Sequence, residues 1–185
     1  MGKVLAVDPS SSSLGWAILK VKGEIVDVGV LYYSSKDSVS TRVKLIVREM
    51  HRIIHDYRLG GEDYFVTESS AGLVNPRSFL VLERVRGAVE AVAHLCGLQV
   101  LGRINPRSLH RSLLGIQKCV DRKTVKFYIR EFISKEFGLA LRKLHVEIKP
   151  ANQDLFDALL VGYYFVKALT FLRTNENISL YLSDI

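Results

Sequence analysis

The stretch Lys3-Val4-Leu5-Ala6-Val7-Asp8-Pro9 decides how this chain folds. Four apolar residues run without interruption into one acid, and the proline then ends the run. Such a run, bounded by a turn, indicates a β-strand that is buried on both faces of a sheet. Open α/β sheets bind ligands at the carboxyl ends of their central strands. Asp8 is therefore either a functional carboxylate or a turn residue that caps the serine-rich loop at 10–13, and this stretch alone leaves both interpretations open.

Outward from this strand, the pattern predicts an α/β fold with a five-stranded mixed sheet. The predicted strands cover residues 3–9, 14–20, 25–33, 63–70 and 98–104. The predicted helices cover residues 41–59, 78–96, 108–114, 122–137 and 152–171, with 138–149 as a polar connection. Short loops join the first three strands, which indicates an antiparallel meander. A helical crossover follows, so we expect the last two strands to lie parallel to the first and Glu68 to emerge beside Asp8.

The length and composition predict one globular domain. The chain has 185 residues, of which 48% are hydrophobic and 24% charged, which is typical of a single soluble domain. We expect the domain to cover residues 1–173 and residues 174–185 to form a peripheral tail. The apolar segment at 158–166 is too short to span a bilayer, and no signal-peptide pattern precedes Asp8. These features predict an intracellular protein without a membrane partner, in the cytoplasm with the nucleoid or in an organellar matrix.

The positive charge is concentrated in one block. The chain carries a formal net charge of +7, and residues 103–149 alone hold 12 basic and 4 acidic residues. The remainder of the chain is nearly balanced, with 14 basic and 15 acidic residues. A single block with this excess favours a polyanionic partner, and nucleic acid is the leading candidate.

The last predicted helix begins with two acids. Asp154 and Asp157 are three residues apart, so they lie one above the other on one face of the helix. Acids in a first turn are also favoured by the helix dipole alone, which is the structural alternative. Against that alternative, two like charges at this spacing repel each other, and the residues behind them are typical of a core.

Four acids thus stand at the ends of elements: Asp8, Glu68, Asp154 and Asp157. Oxygen-rich clusters of this kind suit hard cations such as Mg²⁺ or Mn²⁺. Two such ions can activate water on one side of a phosphodiester and stabilise the leaving oxygen on the other. Together with the basic block, the four acids predict a nuclease.

The same residues resemble a known family. The strand-acid-proline start with Gly15-Trp16-Ala17, then Val66-Thr67-Glu68, then Asp154-x-x-Asp157-Ala158-Leu159 are similar to the RuvC family of Holliday junction resolvases. That family belongs to the ribonuclease H-like superfamily, and the resemblance extends over about residues 3–167. It implies a homodimer that nicks opposed strands of a four-way DNA junction, in recombination and repair, with two Mg²⁺ or Mn²⁺ ions per site and no small-molecule cofactor.

The resemblance also implies roles for individual residues. Asp8, Glu68, Asp154 and Asp157 match the metal ligands, with Asp8 reaching both ions, and Lys123 matches a catalytic basic residue near the scissile phosphate. A further family lysine falls at His110. The side chains expected to contact DNA are Arg77, Arg107, His110, Arg111, Lys118, Arg122, Lys123 and Lys126.

Three alternatives remain open on the sequence. The loop after Glu68 begins Ser69-Ser70-Ala71-Gly72, where bacterial members of the family carry an aromatic wedge, and this favours a nuclease for flaps, other branched DNA or RNA. A non-catalytic nucleic-acid-binding module with the same fold is the second alternative. An actin-like nucleotide-binding protein is the third, although the chain has no Gly-rich phosphate loop and no room for a second such half.

Overall fold

A computed structural model describes residues 2–10, 12–34, 36–70, 75–117 and 120–174. They form a five-stranded sheet with helices on both faces. The strands are β1 (Lys3–Pro9), β2 (Ser13–Lys20), β3 (Ile25–Tyr32), β4 (Tyr64–Thr67) and β5 (Gln99–Val100). The helices are α1 (Val39–Asp56), α2 (Pro76–Leu95), α3 (Pro106–Leu114), α4 (Arg122–Lys143) and α5 (Gln153–Thr174), with one 3₁₀ turn at Pro150–Asn152.

The strand order is β3-β2-β1-β4-β5, with β1 in the centre. The pairs β1–β2 and β2–β3 are antiparallel, and the pairs β1–β4 and β4–β5 are parallel. Short loops are sufficient for the antiparallel pairs, whereas the parallel pairs need the crossovers that α1 and α2 supply. The predicted mixed sheet, with three antiparallel and two parallel strands, is confirmed.

The central strand is buried on both faces, as its apolar run predicts. Val4 and Ala6 pack into the cluster formed with α3, α4 and α5. Leu5 and Val7 point the other way, into the cluster formed with α1 and α2. Because side chains alternate along a strand, the next even position, Asp8, belongs to the face that α5 covers.

Helix α5 is the most apolar helix of the described residues. Within them, Pro150–Leu172 is the segment long and apolar enough to cross a membrane, and half of its most apolar window is buried inside the protein. The segment packs on β1 and β2, and we therefore interpret it as the core helix of this fold.

The last two strands are shorter than the predicted ones because the ladder contains an extra residue. Phe65 pairs with Val100, and the next bridge joins Glu68 to Ile104. Between these two bridges the chain advances three residues on the β4 side and four residues on the β5 side. The extra residue disrupts the ladder as a β-bulge does. The predicted strand at 98–104 is correct in place and direction but too long.

The helix boundaries also differ from the predicted ones. Asn75 and Asn105 each cap a helix that has proline in its first turn, so α2 and α3 begin two residues earlier than predicted. Helix α1 begins at Val39, two residues earlier than predicted, and is capped by Ser38. The largest difference is in α4, which continues to Lys143.

Helix α4 does not stop at Phe137 because its buried stripe continues. Ile133, Phe137 and Leu141 are four residues apart, and all three are buried in the core. Gly138 lies inside this helix and is itself buried. The prediction of a connection at 138–149 was therefore wrong for its first six residues.

Candidate active site

Two acids share one face and one end of the sheet. The parallel register of β1 and β4 pairs Val7 with Thr67, so Asp8 and Glu68 follow as neighbours. Thr67 strengthens this end of the pair, since its hydroxyl donates to the carbonyl of Val7 at 2.8 Å. The predicted placement of Asp8 beside Glu68 is what the structure shows.

Helix α5 brings two more acids to the same place. One oxygen each of Asp8, Asp154 and Asp157 lie within 4.8 Å of one another, and all three side chains are half-buried. Glu68 is outside this group, but its charge acts on Asp8. The four predicted carboxylates therefore converge, with Asp8, Asp154 and Asp157 forming the tight part of the cluster.

Two glycines allow α5 to lie this close to the sheet. A Cβ atom at Gly15 would lie 1.9 Å from the carbonyl oxygen of Asp154. Gly15 is also the residue of β2 that pairs with Asp8. Further along α5, a Cβ at Gly162 would come within 2.9 Å of the Cβ of Ala6. The absence of a side chain at both positions brings Asp154 close to Asp8.

The serine loop between β1 and β2 supports Asp154. The hydroxyl of Ser13 donates a short hydrogen bond to Oδ2 of Asp154, and Ser10 Oγ lies 3.4 Å from the same oxygen. The phenol of Tyr33 lies 2.6 Å and 2.7 Å from the carbonyl oxygens of Ser10 and Ser13. Ser10 Oγ also accepts from the amide of Ser13, so Ser10 performs the capping role that was the alternative for Asp8.

A separate chain of contacts orients Asp157. Gln153 is buried, and its amide nitrogen donates to Oδ1 of Asp157 at 2.8 Å. The amide oxygen of Gln153 accepts from Arg130 of α4, also at 2.8 Å. Because both ends of the amide are bonded, its orientation is determined, and Asp157 always receives the N–H side.

The carboxylates destabilise each other's charged forms. Burial, followed by the charges of Glu68, Asp157 and Asp154, raises the pKa of Asp8 well above its ordinary value. Burial and the charge of Asp157 raise the pKa of Glu68 to about 7. Burial raises the pKa of Asp157 to about 6, although its hydrogen bond from Gln153 lowers it. Carboxylates that repel each other in this way are stabilised by binding either protons or a cation.

A buried arginine of α2 acts on the cluster. Arg86 of α2 is 5% exposed, and its charge lowers the pKa of both Asp8 and Glu68. Its guanidinium also donates to Ser70 at 2.6 Å and to Glu83 at 3.0 Å. Arg103 then joins Glu83 to Glu90. Arg86 offsets only part of the repulsion, since the pKa values of the acids remain raised.

A family model described as crossover junction endodeoxyribonuclease RuvC matches residues 4–162. This range contains the sheet and all four acids. The chain belongs to the RuvC family.

Relatives in this family share about a quarter to a third of their residues with this chain. The RuvC crossover junction endodeoxyribonuclease of Prosthecochloris aestuarii is 32% identical over 162 residues, which cover 84% of this chain and 76% of the relative. The RuvC of Orientia tsutsugamushi strain Ikeda is 25% identical over 174 residues, covering 86% of this chain and 92% of the relative.

Solved RuvC structures have the same fold. The structure of Thermus thermophilus RuvC in complex with Holliday junction substrate matches with a TM-score of 0.66 at 17% identity, covering 92% of this chain and 96% of the other. A second Thermus thermophilus RuvC structure matches with the same TM-score at 19% identity, covering 91% and 96%. The ribonuclease H-like fold implied by the resemblance is confirmed.

The predicted DNA-contacting residues of this RuvC family member differ in exposure. The exposed ones are Arg77, Arg107, Arg111, Arg122 and Lys123. Lys126 is half-buried, and its charge and that of Arg122 lower the pKa of Asp157. Burial lowers the pKa of His110, so at neutral pH this side chain is a hydrogen-bonding group rather than a cation. Lys118 lies outside the described residues.

Sequence reasoning missed the residues that hold the acids in place. Gly15, Ser13, Gln153 and Arg86 were not predicted as part of the site. A signal existed for Gln153, which directly precedes the first acid of α5. The role of Gly15 depends on how closely α5 approaches β2, and this distance has no local signature in the sequence.

The raised pKa values lead to a pH-dependent stability in the absence of metal. An unperturbed glutamate has a pKa of 4.5, whereas the pKa of Glu68 is about 7 in the folded protein. Between these values the folded chain holds more protons than the unfolded chain, so we expect the free energy of unfolding in EDTA to fall as pH rises from about 4.5 to 7. Denaturant unfolding across this range measures the slope.

The matched control for this prediction is Glu68→Gln, which removes one titrating group and should flatten the slope. Added Mg²⁺ should restore stability at the upper end of the range, because it binds the ionised folded form. A metal-free stability that is constant or rises over this range in the unaltered protein would contradict the placement of these acids.

Proposed function

We propose that this RuvC family member is a metal-dependent, structure-selective endonuclease that resolves four-way DNA junctions by paired nicks. The observation that carries the proposal is the convergence of Asp8, Asp154 and Asp157 within 4.8 Å at the carboxyl end of β1. Family membership supports the same activity, since the relatives are named crossover junction endodeoxyribonucleases.

The donor set fits divalent cations that prefer oxygen. Asp8, Glu68, Asp154 and Asp157 would hold two ions, Mg²⁺ or Mn²⁺, with Asp8 as the shared ligand because the charges of the other three acids all act on it. When bound, such ions supply an activated water and stabilise the charge of the leaving oxygen, giving a 5′-phosphate and a 3′-hydroxyl. The raised pKa values support this fit, because a cation relieves the repulsion that raises them.

The remaining side chains orient the ligands and hold the DNA backbone. Ser13 and Gln153 fix the carboxylates of Asp154 and Asp157 through their hydrogen bonds. Lys126 and Arg122 place positive charge beside Asp157, where a phosphate could be held. The exposed Lys123 stays a candidate for the basic residue near the scissile phosphate.

Paired nicks require two copies of the site, and α2 offers a surface for a homodimer. Leu80 and Leu95 are 60% and 84% exposed on this helix. Gly87 and Ala91 are exposed between them on the same side, so a second helix could approach closely. This surface supports the homodimer that the family resemblance implies.

A nuclease for flaps or RNA is the second candidate. The observation that favours it is the sequence of the loop after Glu68, which has no aromatic residue between 69 and 74. Residues 71–74 lie outside the described part of the chain. In either case the substrate is nucleic acid, which places the protein with the DNA or RNA of its compartment, in the cytoplasm or an organellar matrix.

A substrate panel tests the proposal. Labelled four-way junction, flap, fork, linear duplex and RNA should be incubated with the protein in Mg²⁺ and in EDTA. We expect the junction to be cleaved fastest in Mg²⁺ and no substrate to be cleaved in EDTA. A preference for flap or RNA would establish the second candidate, and junction binding without any cleavage would establish a non-catalytic module.

A further inference from the structure

Helix α4 exposes two adjacent aromatic side chains. Phe127 is 53% exposed and Tyr128 is 45% exposed. Their ring centroids are 5.9 Å apart, and the ring planes meet at 67°. Single exposed apolar residues are ordinary on a protein surface, but an adjacent pair of half-exposed rings offers more aromatic surface than a single residue does.

The charges around this pair are mostly positive. From Arg122 to Glu131, α4 carries four basic residues and one acid, Glu131, which is three to four residues from both rings. Residues three and four apart are neighbours on a helix surface, so Phe127 lies between Lys123 and Arg130. Aromatic rings within a basic surface are the combination with which proteins bind unpaired nucleic acid: the cations contact phosphates, and the rings stack on bases.

The helix that carries the pair also contacts the carboxylate cluster. Arg130, three residues after Phe127, donates to the amide oxygen of Gln153, and the amide nitrogen of Gln153 donates to Asp157. The aromatic pair therefore lies about one helical turn from a side chain that orients a candidate metal ligand.

We propose that Phe127 and Tyr128 stack on unpaired bases of the nucleic-acid substrate, beside the bond that is cleaved. This inference rests on the proposed function. In an intact duplex each base is already stacked on its neighbours, so the platform selects bases that a branch point leaves unpaired. The loop at 69–74 has no aromatic residue, and α4 supplies the rings.

Binding measured in EDTA tests the stacking separately from cleavage. The two DNAs are a junction with unpaired thymines at its centre and a linear duplex of the same length. For the double variant Phe127→Ala, Tyr128→Ala we expect affinity for the junction to fall about tenfold, the effect of losing one base–aromatic stack. Affinity for the duplex, which depends on phosphate contacts, should not change.

Two further variants separate stacking from general packing. Leu139→Ala is the matched control, because Leu139 is an exposed apolar residue of the same helix, 74% exposed and twelve positions from Phe127; it should leave both affinities unchanged. Phe127→Trp should keep or improve junction affinity, whereas Phe127→Leu should lose it.

Several results would overturn the inference. They are an equal loss on junction and duplex, an equal loss in Leu139→Ala, and full junction affinity in Phe127→Leu. A dimer that dissociates in the double variant, measured by sedimentation, would assign this surface to a second copy of the chain instead. If the unaltered protein cleaves no DNA but the double variant still loses junction affinity selectively, the stacking stands and the proposed cleavage fails.

Discussion

Asp8→Asn is expected to reduce junction cleavage by at least about 10³-fold while leaving junction affinity unchanged. Asp8 is the acid on which the charges of Glu68, Asp157 and Asp154 all act, so it is the ligand that two cations would share. An amide is a neutral and weaker ligand, and the bound metal contributes several kcal/mol to catalysis, each 1.36 kcal/mol being tenfold in rate. We expect affinity to depend mainly on phosphate contacts by the basic residues of 103–149.

A second readout distinguishes lost chemistry from lost folding. In EDTA, Asp8→Asn should raise the melting temperature, because it removes a half-buried carboxylate that three neighbouring carboxylates repel. The control is Asp56→Asn, which changes an exposed carboxylate paired with Arg52 on α1 and should alter neither cleavage nor affinity. Cleavage by Asp8→Asn at the rate of the unaltered protein would remove Asp8 from the site.

Gly15→Ala is expected to damage both stability and activity although it adds only a methyl group. Its Cβ would lie 1.9 Å from the carbonyl oxygen of Asp154 and 2.8 Å from the amide nitrogen of Leu155. Both contacts are with backbone, so α5 must move. We expect the free energy of unfolding to fall by about 1–3 kcal/mol and cleavage to fall by about 100-fold, the effect of displacing a catalytic group by about 1 Å.

The control for this substitution is Gly60→Ala. A Cβ at Gly60 would meet no atom within 4 Å, so this variant should unfold and cleave as the unaltered protein does. Denaturant unfolding and junction cleavage are measured for both variants. Gly15→Ala with unchanged stability and unchanged cleavage would show that α5 does not depend on this close approach to β2.

The sheet could be predicted from sequence because its determinants are local. The uninterrupted apolar run of β1 indicated a central strand, and the loop lengths separated antiparallel from parallel neighbours. The acids could be placed for the same reason: Asp8 and Glu68 end strands, and the spacing of Asp154 and Asp157 matches one helical turn. Each of these signals is contained in a short stretch of consecutive residues.

Apart from the bond between Gln153 and Asp157, which are four positions apart, the supporting contacts could not be predicted, because they join positions far apart in sequence. Ser13 bonds Asp154 across 141 positions, and Gln153 bonds Arg130 across 23. The end of α4 was placed too early for a related reason. Its buried stripe continues past Gly138 into the core under α5, and burial there outweighs the helix-weakening effect of glycine.

The site and the basic surface suggest a division of roles between helices. Helix α5 carries two of the acids, and α4 carries cations that act on Asp157 together with the exposed rings of Phe127 and Tyr128. Arg130 links the two helices through Gln153. DNA bound by α4 would therefore contact the helix whose Arg130 orients Asp157 through Gln153.

The most direct test is to map the nicks on one synthetic four-way junction whose strands are labelled individually. With Mg²⁺ we expect cuts in two opposed strands of the same molecule, each leaving a 5′-phosphate, so that the junction separates into two linear duplexes. In EDTA, and for Asp8→Asn in Mg²⁺, the junction should stay bound and uncut. Cleavage without a divalent cation, or nicks confined to one strand, would contradict a metal-dependent resolvase with paired sites.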